Sequence, residues 1–199
     1  MGRLKGKARQ KANKKARNQA KYKRAVYKKT QIGKILKWGD PTLEINCERV
    51  LSDDDPTEVI AELKKVLSVT DTGVGLAAPQ IGHTKRIIAL RPNRITGDIK
   101  ILINPHICEE SAEKVTGKEG CLSYPNFFTD VERCEWVVVM YEDEKRQEKK
   151  KKYTGTEAII VQHEIDHIFG ICQVGDAWKK YKEEQEDKLR QKVGSTEQE

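Results

Sequence analysis

No run in this 199-residue chain approaches the roughly 18 apolar residues of a membrane-spanning helix, and no apolar signal stretch follows the start. Neither a membrane-spanning helix nor secretion is expected. There is no CxxC pair, so a structural zinc ribbon is excluded as well. The five cysteines, Cys47, Cys108, Cys121, Cys134 and Cys172, are odd in number and scattered, which points to a reducing compartment. Gly6 stands where a myristoylation signal requires Ser or Thr. Hydrophobic residues reach only 37% against 35% charged, which predicts one folded domain with solvated extensions.

The most uneven absence is acidic. Residues 1–30 hold 13 Lys or Arg, no Asp or Glu and no Ser; the other 169 residues hold 25 basic and 31 acidic side chains. A +13 arm therefore joins a −6 body, and together they give the net +7. The arm has almost no large apolar residues and is expected to be disordered. Its charge suits an anionic polymer, and Tyr22 and Tyr27 can stack on bases, so RNA or the ribosome is the expected partner. An organelle transit peptide is the alternative, although such segments are richer in Ser. A solubilising tail is the plainest reading.

The body is expected to start near residue 31. "DDDPTEVIAELKKVLSV" at 53–69 predicts a helix, with Asp55 as cap, Pro56 in the first turn and Glu58 completing a capping box. Val59, Ile60, Leu63, Val66 and Leu67 form its apolar stripe. "RIIAL" at 86–90, "IKILI" at 99–103 and "WVVVMY" at 136–141 predict strands. The charged stretch 142–152 reads as a solvated hairpin or loop. A second helix is expected from about Thr156 to Gly170, and a mixed-charge helical tail over 177–199. No internal repeat is visible, and the pattern predicts an α+β domain.

The helix at 156–170 carries "QHEIDH". Residues four apart share a helical face, so His163 and His167 can reach one metal ion while Glu164 faces a metal-held water as general base. The bland alternative is a solvated helix with two unconnected histidines. A catalytic site needs a third ligand. Cys121 in "EGCLS" at 119–123, read as a loop before "YPN", is the candidate. "GVGLAAPQ" at 73–80 reads as neither a regular strand nor a helix interior, and Gln80 can donate its amide to a carbonyl.

Taken in order, these three stretches resemble peptide deformylase, whose marks are GxGLAAPQ, EGCLS and QHExDH. "ILKWGDPTL" at 35–43, "INP" at 103–105 and Gly170 fit too, and the resemblance spans about 31–176. It implies antiparallel sheets around a central metal-binding helix. It implies an Fe²⁺ ion, with Zn²⁺ or Ni²⁺ as substitutes, held by Cys121, His163 and His167. The reaction would be removal of the formyl group from the N-formylmethionine of new polypeptides. Glu164 would move the proton, and Gln80 with the Leu122 N–H would hold the oxyanion. Gly75 would present backbone to the substrate, Val74, Ile159, Ile160 and His163 would line a methionine pocket, and Glu119 and Arg133 would be a structural pair. Deformylation belongs to bacterial-type translation, so the expected compartment is the cytoplasm, or an organelle if the arm is a transit peptide. The family's basic C-terminal docking helix has no match in the acid-rich tail, with "EEQED" at 183–187.

Two other readings compete. A zinc endopeptidase of the H-E-x-x-H type would take a His, Glu or Asp as third ligand. An inactive deformylase-like, RNA- or ribosome-binding protein would have lost ligands, yet all of the expected ones are present.

Overall fold

Within the runs at 86–90 and 99–103, successive apolar residues point to opposite sides of a strand, and this alternation builds two cores from one sheet. The computed structural model describes residues 34–93 and 95–196, with Lys14, Arg17 and Lys21 as isolated positions. The basic arm otherwise lies outside the described residues.

The described strands are β1 (Gly75–Ala77), β2 (Ile87–Leu90), β3 (Lys100–Glu110), β4 (Lys114–Cys121), β5 (Tyr124–Cys134), β6 (Trp136–Glu142) and β7 (Glu148–Thr154). The longer helices are α1 (Thr57–Val69), α2 (Gly155–Ile168) and α3 (Gln173–Thr196). Five strands pair antiparallel in the order β1-β2-β3-β6-β7, and β4 and β5 form a separate antiparallel hairpin. The class is α+β.

Leu76, Ile87, Ala89, Ile101 and Ile103 point to one side of the sheet, where Ile60, Leu63, Val66 and Leu67 of α1 cover them. Ala77, Ile88, Leu90, Leu102, Val137 and Val139 point to the other, under Ala158, Val161, Ile165 and Ile168 of α2. Each such large side chain taken from water contributes about 1.5–3 kcal/mol before entropy is charged against it.

Three details differ from the sequence expectations, and a fourth goes beyond them. Helix α1 starts at Thr57, with Asp55 Oδ1 accepting from the Thr57 N–H at 3.0 Å. Pro56 occupies the cap position with no side-chain cap bond, and it lacks the N–H that a capping-box glutamate would need. Gly75–Ala77 is a strand after all: a three-residue edge pairs with β2, and a 3₁₀ turn over Ala78–Ile81 follows at once. The stretch 142–152 is a hairpin, as the sequence reading allowed, and its second arm is the strand β7. Its lysines carry no hydrophobic alternation, but they suit an edge strand, where charge blocks further pairing. Lys150 meets Glu109, Lys151 meets Glu157, and Lys152 lies 3.7 Å from the Trp136 ring centre. The hairpin β4–β5 was not expected at all, because its exposed, polar strands lack a hydrophobic signature.

Helix α3 begins at Gln173 and runs unbroken past residue 177. Val174 and Trp178 pack it onto Tyr124 and Phe127 of β5. Gly170, at φ +74°, ends the turn after α2, and a Cβ there would lie 2.5 Å from the Glu44 carbonyl oxygen. Only glycine satisfies both constraints.

Candidate active site

Helix α2 is buried on more than one side, and the side turned from the sheet carries polar groups. Gln162, Glu164 and His167 are all buried. Gln162 clasps the helix to β5: its Oε1 accepts from the Cys134 N–H at 3.0 Å, and its Nε2 donates to the carbonyls of Cys134 and Ala158, each at 2.9 Å.

The next element in is an ion network. Arg133 on β5 donates two bonds to Glu119 on β4, at 2.8 and 3.0 Å, and a further one to Asp166 of α2. Glu119 Oε2 also accepts from His163 Nδ1 at 2.8 Å. Burial opposes the Glu119 charge, but the bonds from His163 and Arg133 outweigh it and hold the carboxyl down at about 2. A carboxylate on Nδ1 fixes the His163 proton there and leaves Nε2 free to act as a ligand. The network therefore orients the first imidazole and ties the hairpin to the helix.

Cys121 is the last residue of β4, at an irregular step of the hairpin, rather than in an open loop. The strand end delivers its Sγ to 3.2 Å from His167 Nε2. The His163 and His167 rings lie edge to face with centres 4.9 Å apart. Gln80, in the turn after β1, has its Oε1 held by the Ala77 N–H at 2.8 Å. Its Nε2 lies 3.4 Å from Cys121 Sγ and 3.2 Å from Ser123 Oγ. The Leu122 carbonyl accepts from Lys37 Nζ at 2.7 Å, which holds the Leu122–Ser123 peptide.

Sequence reasoning missed Cys172. Its sulfur joins Cys121 Sγ and a His167 ring nitrogen in a group whose ligand atoms all lie within 4.8 Å of one another. The closeness of the Cys172 sulfur, then burial, pushes the Cys121 thiol up, and the same closeness brings Cys172 down to about 7. The signal available was its place five residues after His167, just beyond the turn. Lys37, Ser123, Gln162 and Asp166 were not singled out either, although a helix as polar as "QHEIDH" needs partners for each buried group.

Glu164 is pushed up to about 7, chiefly by burial. Its Oε2 and the Nδ1 of His167 are buried with no hydrogen-bond partner among the described residues. Gly75 packs directly on this carboxylate: a Cβ at Gly75 would lie 2.1 Å from Glu164 Oε1. A cavity of about 620 Å³ opens here, and Val74, Gly75, Ile159, Ile160, His163 and Glu164 are among its lining residues. Thiol, imidazoles and an orphaned carboxylate oxygen are a donor set that fits a borderline divalent cation.

A rod bearing H-E-x-x-H beside a cysteine-tipped hairpin and an open cavity defines a hydrolase of the metal-dependent kind. Comparison with known proteins narrows that class. The family model for polypeptide deformylase matches residues 32–183. The peptide deformylase of Pseudothermotoga lettingae is 40% identical over 141 residues, covering 70% of this chain and 80% of the relative. A crystal structure of the enzyme from the Vibrio parahaemolyticus bacteriophage VP16T, in complex with actinonin, superposes with a TM-score of 0.64 at 34% identity, covering 69% of this chain and 98% of that one. The Legionella pneumophila peptide deformylase gives 0.67 at 27%, covering 78% and 95%. The chain belongs to the peptide deformylase family.

Proposed function

We propose that this protein removes the formyl group from the N-terminal formylmethionine of newly made polypeptides, with Cys121, His163 and His167 as ligands of a single Fe²⁺ ion. The observation that carries this reading is that Cys121 Sγ lies 3.2 Å from His167 Nε2, with the His163 ring packed edge to face on His167 and the buried, unpartnered Glu164 Oε2 on the same helix. When bound, a divalent cation supplies Lewis acidity and lowers the pKa of a water that it holds. A thiolate with imidazoles suits iron or zinc.

The chain's own residues do the rest. Glu164, with an affinity near neutral pH, takes the proton of the attacking water and returns it to the departing amine. The Gln80 amide and the Leu122 N–H donate to the developing oxyanion, and losing one such donor costs about 10²–10³ in rate. Gly75 and Val74 face the substrate backbone, while Ile159 and Ile160 give the cavity wall an apolar surface suited to a methionine side chain. The Glu119–Arg133 pair keeps His163 in place.

Formate released from a formyl-Met peptide, with no cleavage of internal bonds and loss of both metal and turnover on chelation, is the expected result. Internal cleavage would favour the endopeptidase reading, which the family assignment already disfavours. The +13 arm is proposed to contact ribosomal RNA in the translating cytoplasm. Deleting residues 1–30 then weakens ribosome co-sedimentation in a salt-sensitive way while activity on short peptides survives.

A further inference from the structure

Arg91 is the first residue beyond β2, and it is only 6% exposed. A buried guanidinium is costly unless its donors find acceptors. The planar fork of Arg91 finds carbonyls on two separate stretches. Its Nη2 donates to the Thr70 carbonyl at 2.5 Å and to the Gly73 carbonyl at 2.6 Å, and its Nε donates to Gly73 at 3.2 Å. The Arg91 N–H donates to the Val74 carbonyl at 2.7 Å. Thr70 closes the end of α1 through its hydroxyl, which donates to the carbonyls of Val66 and Leu67. Arg91 therefore ties the end of α1 to the two residues that lead into β1.

Those residues belong to the wall of the site. Thr72, Gly73, Val74 and Gly75 all line the 620 Å³ cavity. A Cβ at Gly73 would meet Leu122 Cδ1 and Leu67 Cδ1, each at 3.1 Å, so the segment is closely packed from both sides. Strand β1 is an edge of the sheet, with Gly75 opposite Leu90. Because the Arg91 N–H bonds Val74, the alternation of an antiparallel ladder turns the N–H and C=O of Gly75 away from β2, to the open edge. A chain with glycines at 73 and 75 has the freedom to leave this path. The carbonyls of Gly73 and Val74 are both held by Arg91.

We propose that Arg91 is a positioning residue, which fixes the 73–75 edge for the substrate main chain beyond the methionine. This rests on the reading that Val74 and Gly75 face the substrate backbone. With Glu164 packed on Gly75, the formyl end of the substrate lies at Gly75. From Gly75 back to Gly73 the backbone spans about 7 Å, which matches the two residues that follow the methionine. The guanidinium touches no reacting atom, so it acts on the binding of longer substrates and leaves the chemistry alone. Without it the edge is ordered anew at each binding event, and ordering one residue of backbone corresponds to about a tenfold loss of affinity. A formylmethionine with nothing after it stops short of Val74 and Gly73 and escapes that loss.

The test is steady-state formate release by full-length, metal-loaded wild type, Arg91→Gln and Arg91→Lys, on formyl-Met and on formyl-Met-Ala-Ala. KM is independent of the folded fraction of a sample, so a destabilised variant still gives a valid reading. Arg91→Gln is expected to raise KM for formyl-Met-Ala-Ala about tenfold, with kcat and the KM for formyl-Met unchanged. Arg91→Lys keeps a cation but loses the fork that spans two carbonyls, so its KM is expected to fall between the two. It decides the matter if glutamine leaves too little folded protein to assay. A merely structural role would alter both substrates alike or lower kcat alone, and either result overturns the proposal. So does an unchanged KM in both variants. If wild type gains nothing from the two added alanines, the backbone reading of Val74 and Gly75 fails, and this proposal with it.

Discussion

The two layers packed on the central sheet are built to different rules. The α1 layer is aliphatic: Leu63, Val66 and Leu67 are fully buried against Leu76, Ile87 and Ile103. The layer formed by α2 and the β4–β5 hairpin buries Glu119, Arg133, Gln162, Glu164 and His167 within the same small volume. Buried polar groups are tolerated only when they are partnered, and among these five residues two buried side-chain atoms are left without a hydrogen-bond partner. Those two, Glu164 Oε2 and His167 Nδ1, lie in the site itself. The comparison teaches that one side of the sheet secures the fold, while the other uses that security to hold unfavourable groups in place.

If that division holds, removing the orphaned carboxylate should harm rate and leave stability alone. Glu164→Ala is expected to lower formate release by about 10²–10⁴-fold, with its melting temperature retained or raised and its metal content unchanged. Equal losses in rate and stability would erase the distinction between the layers.

The converse change is Leu63→Ala in α1. A fully buried leucine lost from an aliphatic layer costs about 2–5 kcal/mol. Denaturant unfolding should read that loss, while kcat of the folded fraction stays at the wild-type value. A matching fall in kcat would show that the layers are coupled.

Gly75→Ala sharpens the boundary, because Gly75 belongs to the sheet yet touches the carboxylate. The added methyl would fall 2.1 Å from Glu164 Oε1, so either the strand or the carboxylate must move. A misplacement on the order of 1 Å costs about 10²-fold in rate. The expected signature is a kcat loss larger than the fall in stability, and a wild-type kcat would contradict the packing.

The smallest effect is titratable. Glu119 sits at about 2 when folded against an ordinary 4.5. A depressed carboxyl contributes stability that is complete above 4.5 and is lost as pH falls towards 2. Glu119→Gln should therefore be less stable than wild type near neutral pH, by an amount that shrinks as pH falls through that window. An unchanging difference would mean that the Arg133–Glu119–His163 network is held by shape rather than charge.

The chain's legibility followed the same division. The α1 stripe and the runs that became β2, β3 and β6 announced themselves, because burying one face of a helix or both faces of a strand leaves a period in the sequence. The rod carrying His163, Glu164 and His167 was equally plain, since its spacing is local. The β4–β5 hairpin was not legible, and β7 was legible only as part of a solvated hairpin or loop: most of their side chains face solvent or ion partners, and charge has no period. The place of Cys121 at a strand end and the reach of Cys172 depend on contacts 46 and more residues apart. Such encounters are a property of topology, and a cysteine's neighbours cannot be read from its own surroundings in the chain.

The most direct test of the account is metal-edge anomalous diffraction from a crystal of protein purified without oxygen. One anomalous peak is predicted at a distance of about 2.0–2.3 Å from Cys121 Sγ and from a ring nitrogen of both His163 and His167. A peak held only by surface carboxylates, or a fully loaded ion that leaves the Cys121 sulfur unbound, would contradict it.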